Sequence, residues 1–247
     1  MVTMTARGFV NLRDVGGLPL VDGGVTAHGV LYRGDAPYPG DSVLPELEAW
    51  PPRTVIDLRG DTERDRFAYG WPAETVIHHM PLFDSAAPGA RPADLPSLYS
   101  RMLHYNETRA GEILALVAEP EGPVLVHCTA GKDRTGVLVA VLLLAAGVEP
   151  DAVVDDYVRS EEALLDLIDR WLEVGIRTRQ SPPLAEQFLR APADAIAPIV
   201  EQLTSAPGGP AQWMLDRGAN PVHLDMWRAQ VRGVVSPILG ISEGGTQ

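Results

Sequence analysis

A single cysteine stands in 247 residues. That excludes an intramolecular disulfide and any CxxC metal or redox site, and it suits a reducing compartment. Basic residues are scarce as well: Lys and Arg total 20 against 33 Asp and Glu, giving a formal net charge of -13 and an isoelectric point near 4.8. Bulk electrostatics therefore argue against nucleic acid as a partner, and any bound anion must rely on a locally positive pocket. Long apolar runs are missing too. The longest, Val137 to Val148, falls short of the roughly 20 residues that a membrane-spanning helix needs and reads as a buried core helix. The opening Met-Val-Thr-Met-Thr-Ala-Arg-Gly-Phe-Val has no apolar stretch of roughly 7 to 15 residues, so no ordinary secretory signal is visible. A cytoplasmic protein, or one exported without a recognisable signal, is expected.

What is present suffices for one substantial core: 45% apolar residues with 24 Gly and 22 Pro. We read one domain over residues 1–240 and a frayed tail over 241–247. Leu18 to Tyr32 is broken by Asp22-Gly-Gly24 and His28-Gly29, the pattern of a small hairpin. Thr54 to Leu58, Val76 to His79 and Val124 to His127 read as central strands. Leu98 to Ala118 carries Leu103, Ile113, Leu114 and Val117 at helical spacing. This alternation predicts an α/β fold with a mostly parallel central sheet flanked by helices. Ser160 is placed as the N-cap of an amphipathic helix presenting Leu164, Ile168, Trp171 and Leu172. Residues 160–235 read as a helical C-terminal region.

The cysteine, Cys128, sits at the exit of an apolar strand and six positions before Arg134, within Val124-Leu-Val-His-Cys-Thr-Ala-Gly-Lys-Asp-Arg-Thr-Gly136. Open α/β sheets hold their ligands at that end of a strand. A thiol becomes a good nucleophile as its thiolate, which cations, amide N–H donors and a helix N-terminus favour. Thr129, Ala130, Gly131, Lys132 and Asp133 can curl so that their backbone N–H groups surround an anion. Gly131 supplies the permissive backbone. Arg134 offers a planar fork that holds two phosphate oxygens at once. A lone cysteine after Val-Leu-Val is more often a small buried hydrophobe, but that does not explain why His127, Gly131, Lys132, Asp133, Arg134 and Thr135 all crowd around it.

His127, Cys128, Gly131, Arg134 and Thr135 resemble the H-C-x5-R-[ST] motif of the cysteine-dependent protein tyrosine phosphatases. The longer string from His127 to Gly136 is similar to a bacterial branch of that superfamily, of mycobacterial tyrosine phosphatase B and Listeria lipid phosphatase type. Asn11-Leu-Arg-Asp-Val-Gly-Gly17, Leu31-Tyr-Arg33, Ile56-Asp-Leu-Arg59 with Glu63, and Asp156-Tyr157 with Ser160 resemble further landmarks of that branch in the same order.

The resemblance implies a phosphoric monoester hydrolase that needs no metal or cofactor, and a helical region over residues 160–235 that either covers the site as a lid or serves plain packing. Cys128 would attack phosphorus and water would then release phosphate from a phosphocysteine. Thr135 would donate a hydroxyl to the sulfur, and His127 would fix the loop. Two carboxylates compete as general acid: Asp133, favoured because the branch carries its acid in the loop, and Asp84, which follows a predicted strand. Lys132 adds a cation of the kind found in phosphoinositide phosphatases, so a phosphorylated protein or a phosphoinositide is the expected substrate. Arg13, Asp14, Asp57 and Arg59 are charged residues near strand ends, which more often pair with one another than touch substrate, and of these Asp57 and Arg59 are kept as candidates for a supporting role. Two alternatives stand beside the hydrolase: a catalytically idle module that recognises phosphorylated partners, and a sulfurtransferase, whose cysteine loop also gathers backbone donors.

Overall fold

In a computed structural model of the chain, the described residues are 8–41, 47–82, 92, 94–119 and 122–234. Asp84 and the tail 241–247 lie outside them. Five strands form one sheet: β1 (Arg13–Asp14), β2 (Leu31–Gly34), β3 (Thr54–Asp57), β4 (Val76–His79) and β5 (Val124–His127). Their order is β1-β2-β5-β3-β4, with every pair parallel except β1 with β2. Each of the three parallel pairs is in register, Leu31 opposite Val124 and Thr54 opposite both Val124 and Val76.

Two sequence expectations need correction. The hairpin expected over Leu18 to Tyr32 is confined to the bridge between Pro19 and Val25, and Leu31–Gly34 form instead an interior strand of the sheet, buried at every position. The apolar alternation there was masked by Arg33, whose charge is neutralised inside the fold. β4, by contrast, is an edge strand: Val76 and Ile77 are about half exposed. The Asp22-Gly-Gly24 turn does form, closing a short bridge between Pro19 and Val25.

Side chains alternate across the sheet, as strand geometry requires. Leu31, Ile56, Val124 and Val126 face a large helical layer, while Tyr32, Val55 and Leu125 face a smaller cluster closed by Phe9, Leu12, Trp50 and Trp71. The helices are α1 (Asp61–Arg66), α2 (Leu95–Asn106), α3 (Ala110–Ala118), α4 (Asp133–Ala146), α5 (Pro150–Val158), α6 (Leu164–Glu173), α7 (Ala193–Thr204), α8 (Gly209–Leu215) and α9 (Pro221–Val231). At the centre of the layer is α4, buried at every position from Arg134 to Ala146 and ended by Gly147 in the left-handed conformation. Helices α2, α5, α7, α8 and α9 pack around it.

Residues 160–235 divide into two parts. Ile196, Ile199, Leu203, Trp213, Leu224 and Trp227 of α7 to α9 are core residues, whereas α6 and the segment after it lie over the end of β5. Ser160 does not cap α6. It is buried in a 3-10 turn over residues 159–163 and accepts a hydrogen bond from Arg13. No helix among the described residues is long and apolar enough to cross a membrane.

Candidate active site

Residues 128–132 link β5 to α4 and form the floor of a cavity of about 190 Å³. Every carbonyl of this loop meets a donor, from the adjacent His127, from the first turn of α4 or from the surrounding scaffold. Cys128 O lies 3.4 Å from His127 Nδ1, and Thr129 O accepts from the Ala36 amide at 3.4 Å. Ala130 O accepts from Asn11 Nδ2 at 2.8 Å, Gly131 O from Arg33 Nη2 at 3.0 Å, and Lys132 O from the Gly136 amide at 2.7 Å. In a planar trans peptide the N–H of the next residue points opposite to the carbonyl. Anchoring the carbonyls outward therefore turns the following N–H groups inward, a geometry that can receive an anion. Gly131 has φ +69, and a Cβ there would meet the Gly34 carbonyl at about 2.4–2.5 Å, so no other residue fits between the loop and β2.

The outer landmarks of the sequence are the braces of this loop. Asp156 binds Arg33 at 2.5 Å and Arg13 at 2.8 Å, with all three side chains largely or fully buried. Burial pushes the Asp156 carboxyl up, but the two arginines outweigh it and hold it below the usual range. Arg13 also binds Asn11 Oδ1, Asp156 O and Ser160 Oγ. Arg13 and Asp14 thus do not pair with each other: Asp14 instead accepts from the Gly16 and Gly29 amides.

Cys128 is 2% exposed and lines the cavity together with Thr129, Ala130, Lys132, Asp133 and Arg134. Arg134 is held in a two-pronged pair with Glu63, at 2.6 Å and 2.8 Å, and Glu63 also accepts from Thr129 Oγ1 at 2.6 Å. Burial raises the Glu63 carboxyl, but the hydrogen bonds and charge of Arg134 overcome it and leave it at about 2. Glu63 was quoted among the landmarks without a site role, because its partner lies 71 residues away in the chain. Its carboxylate fixes the plane of the guanidinium across the cavity wall.

His127 is fully buried, and burial lowers it to about 4 even though Asp57 lies 3.9 Å away. The ring is neutral near pH 7, so it braces Cys128 O as an N–H donor rather than as a cation. Asp57 and Arg59 pair with each other at 2.7 Å beside it. Thr135 Oγ1 is buried with no hydrogen-bond partner among the described residues.

Asp133 begins α4. Its Oδ1 accepts from Tyr99 Oη at 2.6 Å and lies 3.4 Å from Lys132 Nζ. Lys132, the one lysine of the chain, is buried and donates to the carbonyls of Phe188 at 3.2 Å and Arg190 at 2.8 Å. Those residues belong to the roof. Leu164, Ile168 and Trp171 of α6, with Leu184, Phe188 and Leu189, supply apolar walls over the polar floor. Arg170 anchors α6 through Asp35 at 2.5 Å and through Asp41. The arrangement can hold a tetrahedral anion on backbone donors and Arg134, with a thiol below it and a carboxyl beside it.

Comparison with known proteins agrees with this chemistry. A protein of Cupriavidus necator provisionally named a tyrosine-protein phosphatase is 31% identical over 167 residues, 62% of this chain and 60% of that one. The triple specificity protein phosphatase PtpB of Mycobacterium tuberculosis is 30% identical over 122 residues, 45% of this chain and 44% of that one. The chain thus spans 60% or less of the length of these curated relatives. Among solved structures, Pseudomonas aeruginosa TpbA matches with a TM-score of 0.29 at 22% identity, covering 52% of this chain and 68% of that chain, a likeness that adds nothing to the fold described above. The family match is far more extensive: it runs from residue 4 to residue 232, and the chain therefore belongs to the tyrosine phosphatase family.

Proposed function

We propose that this protein hydrolyses phosphate monoesters on proteins through a phosphocysteine, as a tyrosine or dual-specificity phosphatase. The observation that carries the reading is the loop whose anchored carbonyls leave its N–H groups free to face the cavity that Cys128 lines, with Arg134 on the wall. In the first step the Cys128 thiolate forms an S–P bond while the ester P–O bond breaks, and the leaving oxygen takes a proton from Asp133. In the second, water attacks phosphorus, Asp133 takes the proton back, and the S–P bond breaks to release phosphate. Backbone donors and Arg134 spread the charge that builds up on the equatorial oxygens. The scheme needs no metal.

The apolar roof suits the ring of phosphotyrosine. Lys132 is engaged by two roof carbonyls, which weighs against a free second cation for a multiply phosphorylated headgroup and toward phosphoproteins. Residues 164–190 act as a cover on the site in this reading, and the relative named for triple specificity is the reason to test several substrate classes.

The test is steady-state hydrolysis of a phosphotyrosine peptide, a phosphothreonine peptide and mono- and bis-phosphorylated inositol lipids, with Cys128→Ser and a chelator as controls. Turnover that survives the chelator, vanishes in Cys128→Ser and ranks phosphotyrosine first is expected. Binding of phosphate esters without turnover would replace the enzyme by an idle recognition module.

A further inference from the structure

Two buried hydroxyls next to the site have no part in holding phosphate. Tyr99 on α2 and Tyr157 on α5 are 0% and 1% exposed, their rings meet edge to face, and their hydroxyls are 2.7 Å apart. Gly136 makes room for this pair, since a Cβ there would come within 2.9 Å of the Tyr157 ring. Burial raises both phenols far above their ordinary range, so both keep their protons.

Proton counting gives the pair a direction. A tyrosine hydroxyl has one proton to donate. Tyr99 gives its proton to Asp133 Oδ1, so Tyr157 must be the donor to Tyr99. Asp133 Oδ1 thus faces the Tyr99 hydroxyl at 2.6 Å and the Lys132 ammonium at 3.4 Å. Oδ2 is left as the oxygen that can carry a proton.

We propose that Tyr99, backed by Tyr157, is a positioning residue that commits Asp133 Oδ1 to accepting, so that the transferable proton resides on Oδ2. The proton passes from Oδ2 to the leaving oxygen as the ester P–O bond breaks, and returns to Oδ2 from the attacking water. This inference rests on the reading of Asp133 as the general acid.

The test compares kcat/KM for phenyl phosphate and dinitrophenyl phosphate in the wild type, Tyr99→Phe, Tyr157→Phe, Asp133→Asn and the double variant Tyr99→Phe/Asp133→Asn, with thermal unfolding of each. Asp133→Asn should lose about 10²-fold on the phenyl ester, which needs a protonated leaving group, and far less on the dinitrophenyl ester. Tyr99→Phe should show the same selectivity at about tenfold, and the double variant should fall no further than Asp133→Asn, because Tyr99 acts only through that carboxyl. Tyr157→Phe, which keeps the Tyr99 contact, should show a selective loss of about threefold and carries the test if Tyr99→Phe does not fold. Equal losses on both esters, or additive losses in the double variant, would reduce the tyrosines to packing and overturn the inference while leaving Asp133 in place. A loss in Asp133→Asn that is the same for both esters would instead overturn the acid assignment on which it stands.

Discussion

The floor and the roof of the cavity are built on different principles. The Thr129, Ala130 and Gly131 carbonyls of the floor are held by donors from elsewhere in the fold, and two of those donors, Asn11 and Arg33, are themselves fixed by the buried Arg13, Arg33 and Asp156 cluster. The roof is apolar toward the cavity, leaves Leu165 74% and Leu172 40% exposed, and is tied down mainly by Arg170 and by the Lys132 bonds. A polar floor cannot shift without leaving buried donors unpaired, whereas the apolar contacts of the roof, away from its Arg170 and Lys132 ties, can slide at little cost. In the proposed function the chemistry therefore belongs to the floor and the choice of substrate to the roof.

The sharpest way to break this contrast is at the floor. Arg134→Lys, which loses the planar fork, should lower kcat/KM by about 10³-fold or more with little change in KM for the residual activity; a loss under tenfold would mean that the backbone nest alone does the work. Asp156→Ala strands two arginines in the interior and should cost about 3–5 kcal/mol in denaturant unfolding. A change below about 1 kcal/mol would show that the cluster does not brace the loop.

Acid tests the floor as well. His127 stays neutral in the fold down to about pH 4, whereas an unfolded histidine takes up a proton near 6.5. At His127 the unfolded state thus binds more protons between those values, so the contribution of His127 to stability falls as pH drops through that window, while Asp35, pushed up to about 6 by burial, takes up its proton first in the fold and contributes in the opposite direction. Below the ordinary carboxylate range near 4.5, Glu63 and Asp57, both held at about 2 in the fold, add a further loss that continues toward pH 2. The stability of the wild type relative to His127→Gln should therefore fall from pH 6.5 to 4; a difference that stays level across that window would contradict this burial effect.

At the roof the expected effects are smaller. Lys132→Met frees the carbonyls of Phe188 and Arg190 and should alter KM severalfold with a stability change of about 1 kcal/mol. Leu172→Ser, on an exposed face, should stay within about 0.5 kcal/mol. A larger effect of Leu172→Ser than of Lys132→Met would reverse the account of what holds the roof.

The same contrast explains what could be read from the sequence. The β5, loop and α4 unit was legible because strand, Cys-x5-Arg and helix are contiguous, and the short spacing fixes Cys128, Gly131 and Arg134 near one another. Asn11, Arg33 and Asp156 could be quoted as landmarks, but their job as braces depends on contacts that span 119, 98 and 123 residues. Tyr99 gave no signal at all: it is one polar-tipped residue on the buried side of α2, and only the fold brings its hydroxyl to Asp133. Strand β2 was missed because a buried, paired Arg33 reads as a surface residue, and β4 was misplaced because Val76 and Ile77 look the same in an edge strand as in a central one. Ser160 looked like a cap because its hydroxyl suits one, yet Arg13 claims it.

The most direct test of the central claim is to mix the protein with a phosphotyrosine peptide, quench in acid within the first turnover and map the protein by mass spectrometry. The account predicts one peptide heavier by a phosphoryl group, carrying it on Cys128 and absent in Cys128→Ser. Turnover with no adduct on Cys128, or with the phosphoryl group on another residue, would contradict it.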